Sequence, residues 1–365
     1  MLHDHINSTK VQRAITAALG GAVLMSLVAC AATAHADELE PSDHVLTTTP
    51  DAAETTAPWT RLAGSSRYDT MSAIVSEGWN KTGETQRRVP WAVVATGENY
   101  PDALAASAVA GSANNAPIIL TKAHELSSQA REQLRRLKVE NVYLMGGTEA
   151  VDQSVEQAIE DLQIKVTRVA GESREQTSLE AFKLVRERSA DSIEAVMVTT
   201  GKDYADALSA GPLAYSSHIP IVLANEDGVL TEAEKTAIKG TEGLQTVYLL
   251  GGSSAVSSAV QDQLGEGYTY VRFGGKDRYQ TSSIIARAMV EGDEQRGIAP
   301  LGHAWTMPMV ATGQNFPDAL SASALAGKNK GVLLLADQSD EDSIEFAKTL
   351  APGYLVGGED VLKLE

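Results

Sequence analysis

The sequence predicts an α/β protein built from three tandem Rossmann-like, three-layer units, each with a parallel sheet covered by helices. Two observations lead to this prediction. Short continuous apolar runs alternate with amphipathic helical patterns, as in parallel sheets whose strands are buried on both faces. Three motifs also recur in the same order at a period of about 105 residues, which indicates three homologous units.

The first unit shows how this alternation assigns each element. Apolar runs predict four strands, over 91–95, 117–120, 142–145 and 164–169. Helical periodicity predicts three helices between them, over 102–111, 127–137 and 151–162. The last strand of the unit leads directly into the next repeat.

The chain is strongly acidic, which limits the partners that we expect. It has 365 residues, with 48 Asp and Glu against 30 Lys and Arg and a net charge of −18. We expect no nucleic acid partner, because sequence-independent binding depends on neutralising phosphates with Lys and Arg. The charge also argues against a polybasic membrane patch. An anionic ligand therefore requires a local cluster of basic side chains or bridging cations.

Residues 1–36 have the pattern of a signal peptide, which predicts secretion. Lys10 and Arg13 give a positively charged start, an apolar stretch covers 14–29, and small residues over 34–36 form a cleavage site. The apolar stretch is too short and too rich in Ala and Gly for a comfortable transmembrane helix. We therefore expect no transmembrane segment in the mature chain.

A second reading of the leader is lipidation. Residues 27–30 resemble a bacterial lipobox, which would make a lipidated Cys30 the mature N-terminus and anchor the protein to the outer face of the membrane. Simple cleavage is the favoured interpretation. Cys30 is the only cysteine, so simple cleavage leaves none in the mature chain and excludes disulfides, thiolate nucleophiles and cysteine metal ligands.

The mature chain divides into a tether and three repeats. Residues 37–58 carry six acidic side chains and no Lys or Arg, a composition typical of a disordered linker. The repeats are predicted at 59–165, 166–270 and 271–365.

The first motif, R-x-x-G-x-[SD]-R-x-x-T, begins a helix. Its copies start at Arg61, Arg168 and Arg272, at intervals of 107 and 104 residues. The [SD] position predicts an N-cap, with a capping box or a variant of one three residues later. The capping residues are Ser66, Ser173 and Asp277.

The second arginine of this motif falls at the first helical position, where the helix dipole disfavours a cation. An arginine kept there in every repeat needs either an acidic side chain or an anionic ligand. Structural pairing is the favoured alternative. The three residues are Arg67, Arg174 and Arg278.

The second motif, T-G-x-[ND]-[YF]-[PA]-D-A-L, also predicts a helix start, capped by Asn99, Asp203 and Asn315. Its aspartate either benefits from the helix dipole or pairs with a motif arginine, within a unit or across units. Its aromatic ring either stacks on a sugar or plugs the loop, and the plug is favoured. The aspartates are Asp102, Asp206 and Asp318, and the rings are Tyr100, Tyr204 and Phe316.

The helix after the second motif is rich in small residues and is predicted to pack between units. The third motif is a pair of glycines after an apolar strand, at 146–147, 251–252 and 357–358. The repeats lack the His and Cys spacing of a metal site and any clear nucleophile motif. We therefore predict no catalytic residue, no metal and no cofactor.

These motifs together resemble the cell-wall-binding repeat type 2 family of Gram-positive bacteria, found in clostridial surface-layer-associated proteins and in modifiers of autolytic amidases. The resemblance covers about residues 60–362. It implies three Toprim-like units closed into a pseudo-threefold triangle, without catalytic activity, that bind an anionic secondary wall polymer non-covalently. The middle repeat departs from the pattern with Glu175 in place of tyrosine and Ala205 in place of proline.

The function expected from this resemblance is anchoring or adhesion at the cell wall, although no effector domain is expected beside the repeats. Two alternatives stay open. One is a modifier of a peptidoglycan amidase, and the other is a lipid-anchored surface protein that binds a soluble ligand or a partner surface protein. The motif arginines and aspartates are the candidate residues for polymer binding or for pairing between repeats.

Overall fold

The computed structural model describes residues 58–79, 88–190 and 192–364, so the predicted signal peptide, Cys30 and most of the tether lie outside the described residues. Within these ranges, the strands form three four-stranded parallel sheets. The first has the order β3-β2-β4-β5, with β2 (Trp91–Thr96), β3 (Ile118–Thr121), β4 (Asn141–Met145) and β5 (Lys165–Val169). The second has the order β7-β6-β8-β9, with β6 (Ala195–Thr200), β7 (Ile221–Ala224), β8 (Thr246–Leu250) and β9 (Thr269–Phe273). The third has the order β1-β12-β10-β11, with β1 (Thr60–Leu62), β10 (Met309–Thr312), β11 (Leu333–Ala336) and β12 (Tyr354–Val356).

Helices connect the parallel strands, as crossover connections require. The helices of the first repeat are α1 (Arg67–Gly78), α2 (Ala106–Ser112), α3 (Ser128–Leu137) and α4 (Gln153–Glu160). Those of the second are α5 (Arg174–Arg188), α6 (Ala205–Ser216), α7 (Glu232–Lys239) and α8 (Ala259–Leu264). Those of the third are α9 (Arg278–Val290), α10 (Pro317–Lys328) and α11 (Glu341–Lys348). No helix among the described residues is long and apolar enough to span a membrane.

The sheets are offset from the sequence repeats by one strand. The strand that opens each repeat pairs with the preceding sheet: β5 joins β4, and β9 joins β8. Strand β1 of the first repeat pairs with β12 of the last unit, in the register Thr60 with Tyr354 and Leu62 with Val356. The three units therefore close into a ring, as the pseudo-threefold arrangement requires.

The helix that follows each of these strands packs on the next unit. Helix α1 contacts β3 and α3 of the first sheet, although β1 belongs to the third sheet. Helices α5 and α9 contact β7 and β11 in the same way. The first motif, which lies between the strand and the helix, therefore spans a junction between two units in all three repeats.

The three helices of small residues, α2, α6 and α10, contact one another at the centre of the ring. Gly211 lies where they meet, and a Cβ there would be 2.5 Å from Ser323 Oγ and 3.2 Å from Ser107 Oγ. The prediction that this helix packs between units is confirmed. The first copy differs in detail from the predicted helix over 102–111, because a 3-10 turn over Pro101–Ala103 precedes α2.

The strands of each sheet form the core of its unit. Strand β2 is buried along almost its whole length, and β3, β6, β7, β10 and β11 are buried at every position. The helical layers on both faces exclude water from these strands, which explains why their sequence is continuously apolar rather than alternating. The carboxyl ends of these strands lie at the junctions, where the motifs lie.

Candidate functional site

Each junction between neighbouring units brings the three motifs together at the carboxyl ends of the strands. In the junction of the second and third units, the Asp206 carboxylate lies against Gly251 of its own unit, where a Cβ would be 2.5 Å from Asp206 Oδ2. The same carboxylate faces Thr281 and Arg278 of the following repeat. The other junctions place Asp102 with Gly146, Thr177 and Arg174, and Asp318 with Gly357, Thr70 and Arg67.

Each aspartate therefore faces a motif arginine across a junction without forming an ion pair with it, and pairing between repeats stays a prediction. Burial, together with the nearby Asp203, raises the pKa of Asp206 to about 6 against the opposing effects of Thr281 and Arg278. Burial also raises the pKa of Asp318 to about 6, while Arg67 and Thr70 act to lower it. The pKa of Asp102 is raised as well, again mainly by burial. For these carboxylates, the desolvation free energy is larger than the stabilisation of the charged form by the neighbouring arginine and threonine.

The first arginine of each repeat is bound within the fold. Arg61 Nη1 donates to the carbonyl of Gly357 at 2.8 Å, and its Nη2 donates to that of Leu362 at 3.0 Å. Arg168 Nη1 and Arg272 Nη1 donate to the equivalent glycine carbonyls, of Gly146 at 2.8 Å and of Gly251 at 2.9 Å. These arginines hold the turn after the third strand of each unit, which leaves them a structural role.

The second arginine differs between repeats in how far it is exposed. Each guanidinium donates to the carbonyl of the second-motif glycine of the same repeat. Arg174 donates to Gly201 at 2.5 Å and Arg278 to Gly313 at 2.7 Å. Arg278 also forms an ion pair with Asp203 at 2.7 Å, and its side chain is 31% exposed. Arg67 donates to the Gly97 carbonyl, and both Arg67 and Arg174 are exposed residues.

The three motif rings meet at the centre of the ring of units, with centroids 5.3 to 5.9 Å apart. Tyr100 Oη donates to the carbonyl of Lys202 and Tyr204 Oη to that of Gln314, each at 2.6 Å. Phe316 is buried and has no hydroxyl for the third bond. The rings thus pack against one another between the units, and stacking on a sugar stays a prediction for the half-buried Tyr100 and Tyr204.

The helix caps match the sequence predictions in one motif and correct them in the other. The side chains of Ser66, Ser173 and Asp277 accept from helical amides as predicted. The predicted capping boxes are wrong in register, because Gln176 Oε1 accepts from Glu172 N and so binds the residue before the cap.

In the second motif, the N-cap is the aromatic residue rather than the predicted Asn or Asp. Tyr204 is already in a helical conformation, with φ −98° and ψ −21°, and its side chain makes no capping bond. Asp203 Oδ1 accepts from Ala205 N at 3.1 Å instead. The motif aspartate, Asp206, is therefore the second helical residue and turns into the junction rather than toward the helix amides.

One basic region was not singled out from the sequence. A groove of about 740 Å³ lies on the outer face of the first unit, between α3 and α4, and includes Arg131, Arg135 and Arg136. The sequence signal for this groove is the occurrence of three arginines within six residues of an otherwise acidic chain. Among the described residues, no group of three or more His, Cys, Asp or Glu side chains is arranged to hold a metal ion.

Comparison with known proteins identifies the repeats. The profile of the family described as Cell wall binding domain 2 (CWB2) matches three segments, 61–156, 168–261 and 272–365, which together make up most of the chain. The segments coincide with the three copies of the motifs, and each begins at the first motif arginine.

Two curated relatives from Bacillus subtilis (strain 168) match most of this chain. The chain is 27% identical to the N-acetylmuramoyl-L-alanine amidase LytC over 277 residues, which is 76% of this chain and 50% of that protein. It is 24% identical to a protein named amidase enhancer over 288 residues, which is 79% of this chain and 35% of that protein. The chain therefore matches half or less of the length of these relatives.

Two solved structures from Clostridium difficile have a similar fold. Cwp6 matches with a TM-score of 0.70 at 24% identity, over 83% of this chain and 46% of that one. Cwp8 matches with a TM-score of 0.68 at 25% identity, over 82% of this chain and 49% of that one. These likenesses agree with the three parallel-sheet units and confirm the predicted fold class.

Proposed function

The chain belongs to the cell wall binding domain 2 family, and from this membership we propose that it is a non-catalytic module that binds an anionic secondary polymer of the cell wall non-covalently. The supporting observation is the exposure of Arg67 and Arg174 at two equivalent junctions. Each guanidinium uses one donor on a glycine carbonyl of its own repeat. Further N–H groups remain to bind phosphate or carboxylate groups of a polymer.

The two arginines suit an extended ligand better than a small one, because they lie at different junctions of the ring. A polymer that touches both gains from linking two weak contacts, whereas a small anion occupies one junction at a time. The other motif arginines bind groups of the protein itself: Arg61, Arg168 and Arg272 bind backbone carbonyls, and Arg278 binds Asp203.

Sedimentation with isolated wall sacculi tests this function. The wild-type protein should pellet with intact sacculi and stay in solution with sacculi stripped of the secondary polymer. Binding that survives this stripping would contradict the proposal. The double variant Arg67→Gln/Arg174→Gln should lose binding while its melting temperature stays within a few degrees of the wild type.

A matched control removes the same charge elsewhere. Arg131→Gln/Arg135→Gln lowers the positive charge by two on the outer groove of the first unit, and it should pellet like the wild type. Loss of binding in this variant alone would move the polymer site from the junctions to that groove. Loss of melting cooperativity in the Arg67/Arg174 variant would make those arginines structural.

We propose secretion and association with the cell wall as the location that accompanies this function. Cleavage of a signal peptide at 34–36 is the favoured route to the surface. Lipidation of Cys30 is the alternative, and it would anchor the protein to the membrane instead. The mass of the mature N-terminal peptide distinguishes the two routes. Lipidation leaves a peptide that begins with a lipid-modified Cys30, whereas simple cleavage leaves a peptide that begins after residue 36.

A second candidate function is modification of a peptidoglycan amidase, and the similarity to the protein named amidase enhancer favours it. In this case the module would bind a partner protein at the cell surface as well as the wall. Zymography with an amidase, with and without the purified chain, tests it. A clear lysis band from the chain alone would contradict the non-catalytic assignment, and an unchanged amidase band would contradict the modifier.

A further inference from the structure

The middle repeat departs from the other two at one position beside its exposed arginine. Glu175 occupies the place of Tyr68 and Tyr279. In the first repeat the tyrosine ring lies against the motif glycine, where a Cβ on Gly97 would be 3.1 Å from Tyr68 Cε1. The Tyr279 ring approaches the equivalent glycine of the third repeat more closely still.

Each of these tyrosines is also fixed by its hydroxyl. Tyr68 Oη donates to Glu98 Oε1 at 3.3 Å, and Tyr279 Oη donates to Asp337 Oδ2 at 3.2 Å. At Gly201 of the middle repeat, the nearest atoms to a Cβ belong to Arg174 and to the carbonyl of Ala224. No ring fills this space in the middle repeat.

A cleft of about 360 Å³ lies there, at the carboxyl ends of β6 and β7. This volume is within the range of roughly 300–1,000 Å³ of small-molecule sites. The carboxyl ends of parallel strands are also the usual place for ligands in open α/β sheets. Its polar lining residues are Ser173, Arg174, Glu175, Lys202, Asn225 and Glu226.

The lining combines both charges with neutral donors. Arg174 and Lys202 supply the cations, each with one donor used on a backbone carbonyl. Asn225 Oδ1 accepts from the amides of Asp227 and Val229, which leaves the side-chain NH₂ group to donate. Glu175 supplies a carboxylate that accepts from hydroxyl groups. A sugar that carries one anionic group matches this set, with the anion on the cations and its hydroxyls on Glu175 and Asn225.

We propose that this cleft binds one anionic sugar unit, carrying a phosphate or carboxylate, and that the protein has one such site rather than three. The site rests on the proposed function, because the sugar unit would come from the wall polymer. The single site follows from the tyrosines, since Tyr68 and Tyr279 occupy the same place in the first and third repeats.

The variant Glu175→Tyr tests this proposal, because it gives the middle repeat the residue that the other two repeats already accommodate. Glucose 1-phosphate serves as the probe, and amide chemical shifts in a titration of the full chain report its place of binding. In the wild type, the signals of Gly201, Lys202 and Asn225 should shift together. In Glu175→Tyr the affinity should fall by at least roughly tenfold, about 1.4 kcal/mol.

The matched control is Glu187→Tyr, the same exchange at an exposed position near the other end of α5. It should bind the probe as the wild type does. If Glu175→Tyr lowers the melting temperature, Lys202→Ala takes its place, because Lys202 is exposed and its loss opens no core cavity. Glucose and inorganic phosphate, titrated separately, should each bind more weakly than glucose 1-phosphate.

Three results would overturn the proposal: no shift at Gly201 in the wild type, equal affinity in Glu175→Tyr, or equal shifts at Gly97 and Gly313. Inorganic phosphate that binds as tightly as the sugar phosphate would overturn the sugar part. Sacculus sedimentation of the wild type judges the proposed function separately, so a chain that pellets but does not bind the probe fails only here.

Discussion

Arg61 donates a hydrogen bond to the carbonyl of Gly357, 296 residues further along the chain, at 2.8 Å. The bond accompanies the pairing of β1 with β12 and closes the ring of units. The first strand of the repeats thus completes the last sheet. Parallel pairing between segments so distant in sequence depends on the whole chain being folded, because nothing local holds the two strands together.

Arg61→Ala should therefore weaken the last unit although the substitution lies in the first repeat. We expect the free energy of unfolding to fall by about 1–3 kcal/mol, since two buried or half-buried carbonyls lose a charged donor. Hydrogen exchange should accelerate in β12 and the residues after it. Arg135→Ala, at an exposed position on α3, is the control, and equal protection of β12 in both variants would contradict the closure.

The two glycines of each third motif should respond differently to substitution. Gly357 has φ +103°, and a Cβ there would lie 3.0 Å from Asp318 Oδ2, whereas nothing lies within 4 Å of a Cβ on Gly358. Gly357→Ala should cost about 1–3 kcal/mol through backbone strain and displacement of the carboxylate. Gly358→Ala should melt within a degree or two of the wild type. Thermal unfolding measures both variants, and equal melting temperatures for Gly357→Ala and Gly358→Ala would contradict the crowding at the junction.

Buried carboxyl groups should stabilise the protein as the pH falls from neutral, and two histidines should oppose them, because burial lowers the pKa of His218 and His303. Burial raises the pKa of Asp206 and Asp318 to about 6 and that of Glu234 to about 7. A carboxyl group whose pKa is higher in the folded than in the unfolded chain binds a proton on folding. Its contribution is therefore complete below about pH 4 and is lost as the pH rises through the folded pKa.

The three carboxyl groups should together add about 3 kcal/mol to the free energy of unfolding between pH 7.5 and pH 5.5, and His218 and His303 should offset part of this gain. Denaturant titrations at several pH values measure this. Asp206→Asn should remove about 1 kcal/mol of the gain, because the amide has no proton to bind. An equal change of stability with pH in the wild type and in Asp206→Asn would contradict the raised pKa of Asp206.

The centre of the ring should tolerate little added volume. Gly211→Ala places a methyl group against Ser323 and Ser107, and we expect a loss of about 1–3 kcal/mol. Adding Ser323→Gly to this variant should recover part of the loss, because it removes the nearest atoms. A double-mutant cycle from thermal unfolding measures the coupling, and strict additivity would contradict contact between α6 and α10.

Sequence reasoning identified the junction residues but not how they meet. The motif aspartates and arginines were predicted to pair or to bind a ligand; Asp206 faces Arg278 of the next repeat, while the ion pair of Arg278 is with Asp203. The prediction that Asp203 is the N-cap was wrong. It used only the local preference of Asn and Asp for that position and took no account of the contacts of the Tyr204 ring with Tyr100 and Phe316. Such contacts join residues about 100 positions apart and leave no local signal.

The sequence by itself determined the number of units, the order of strands and helices, and the identity of the three motifs, because apolar periodicity and repetition are local properties that survive without coordinates. The sequence also assigned the strand over 164–169 to the first unit, where the structure has it as β5, and the tertiary structure alone decided that β1 pairs with β12. The short strand β1 could add to the edge of more than one sheet, and its three residues do not specify the partner. Packing of α2, α6 and α10 into one centre resolves this choice, and with it the partner of Arg61 and the place of every motif.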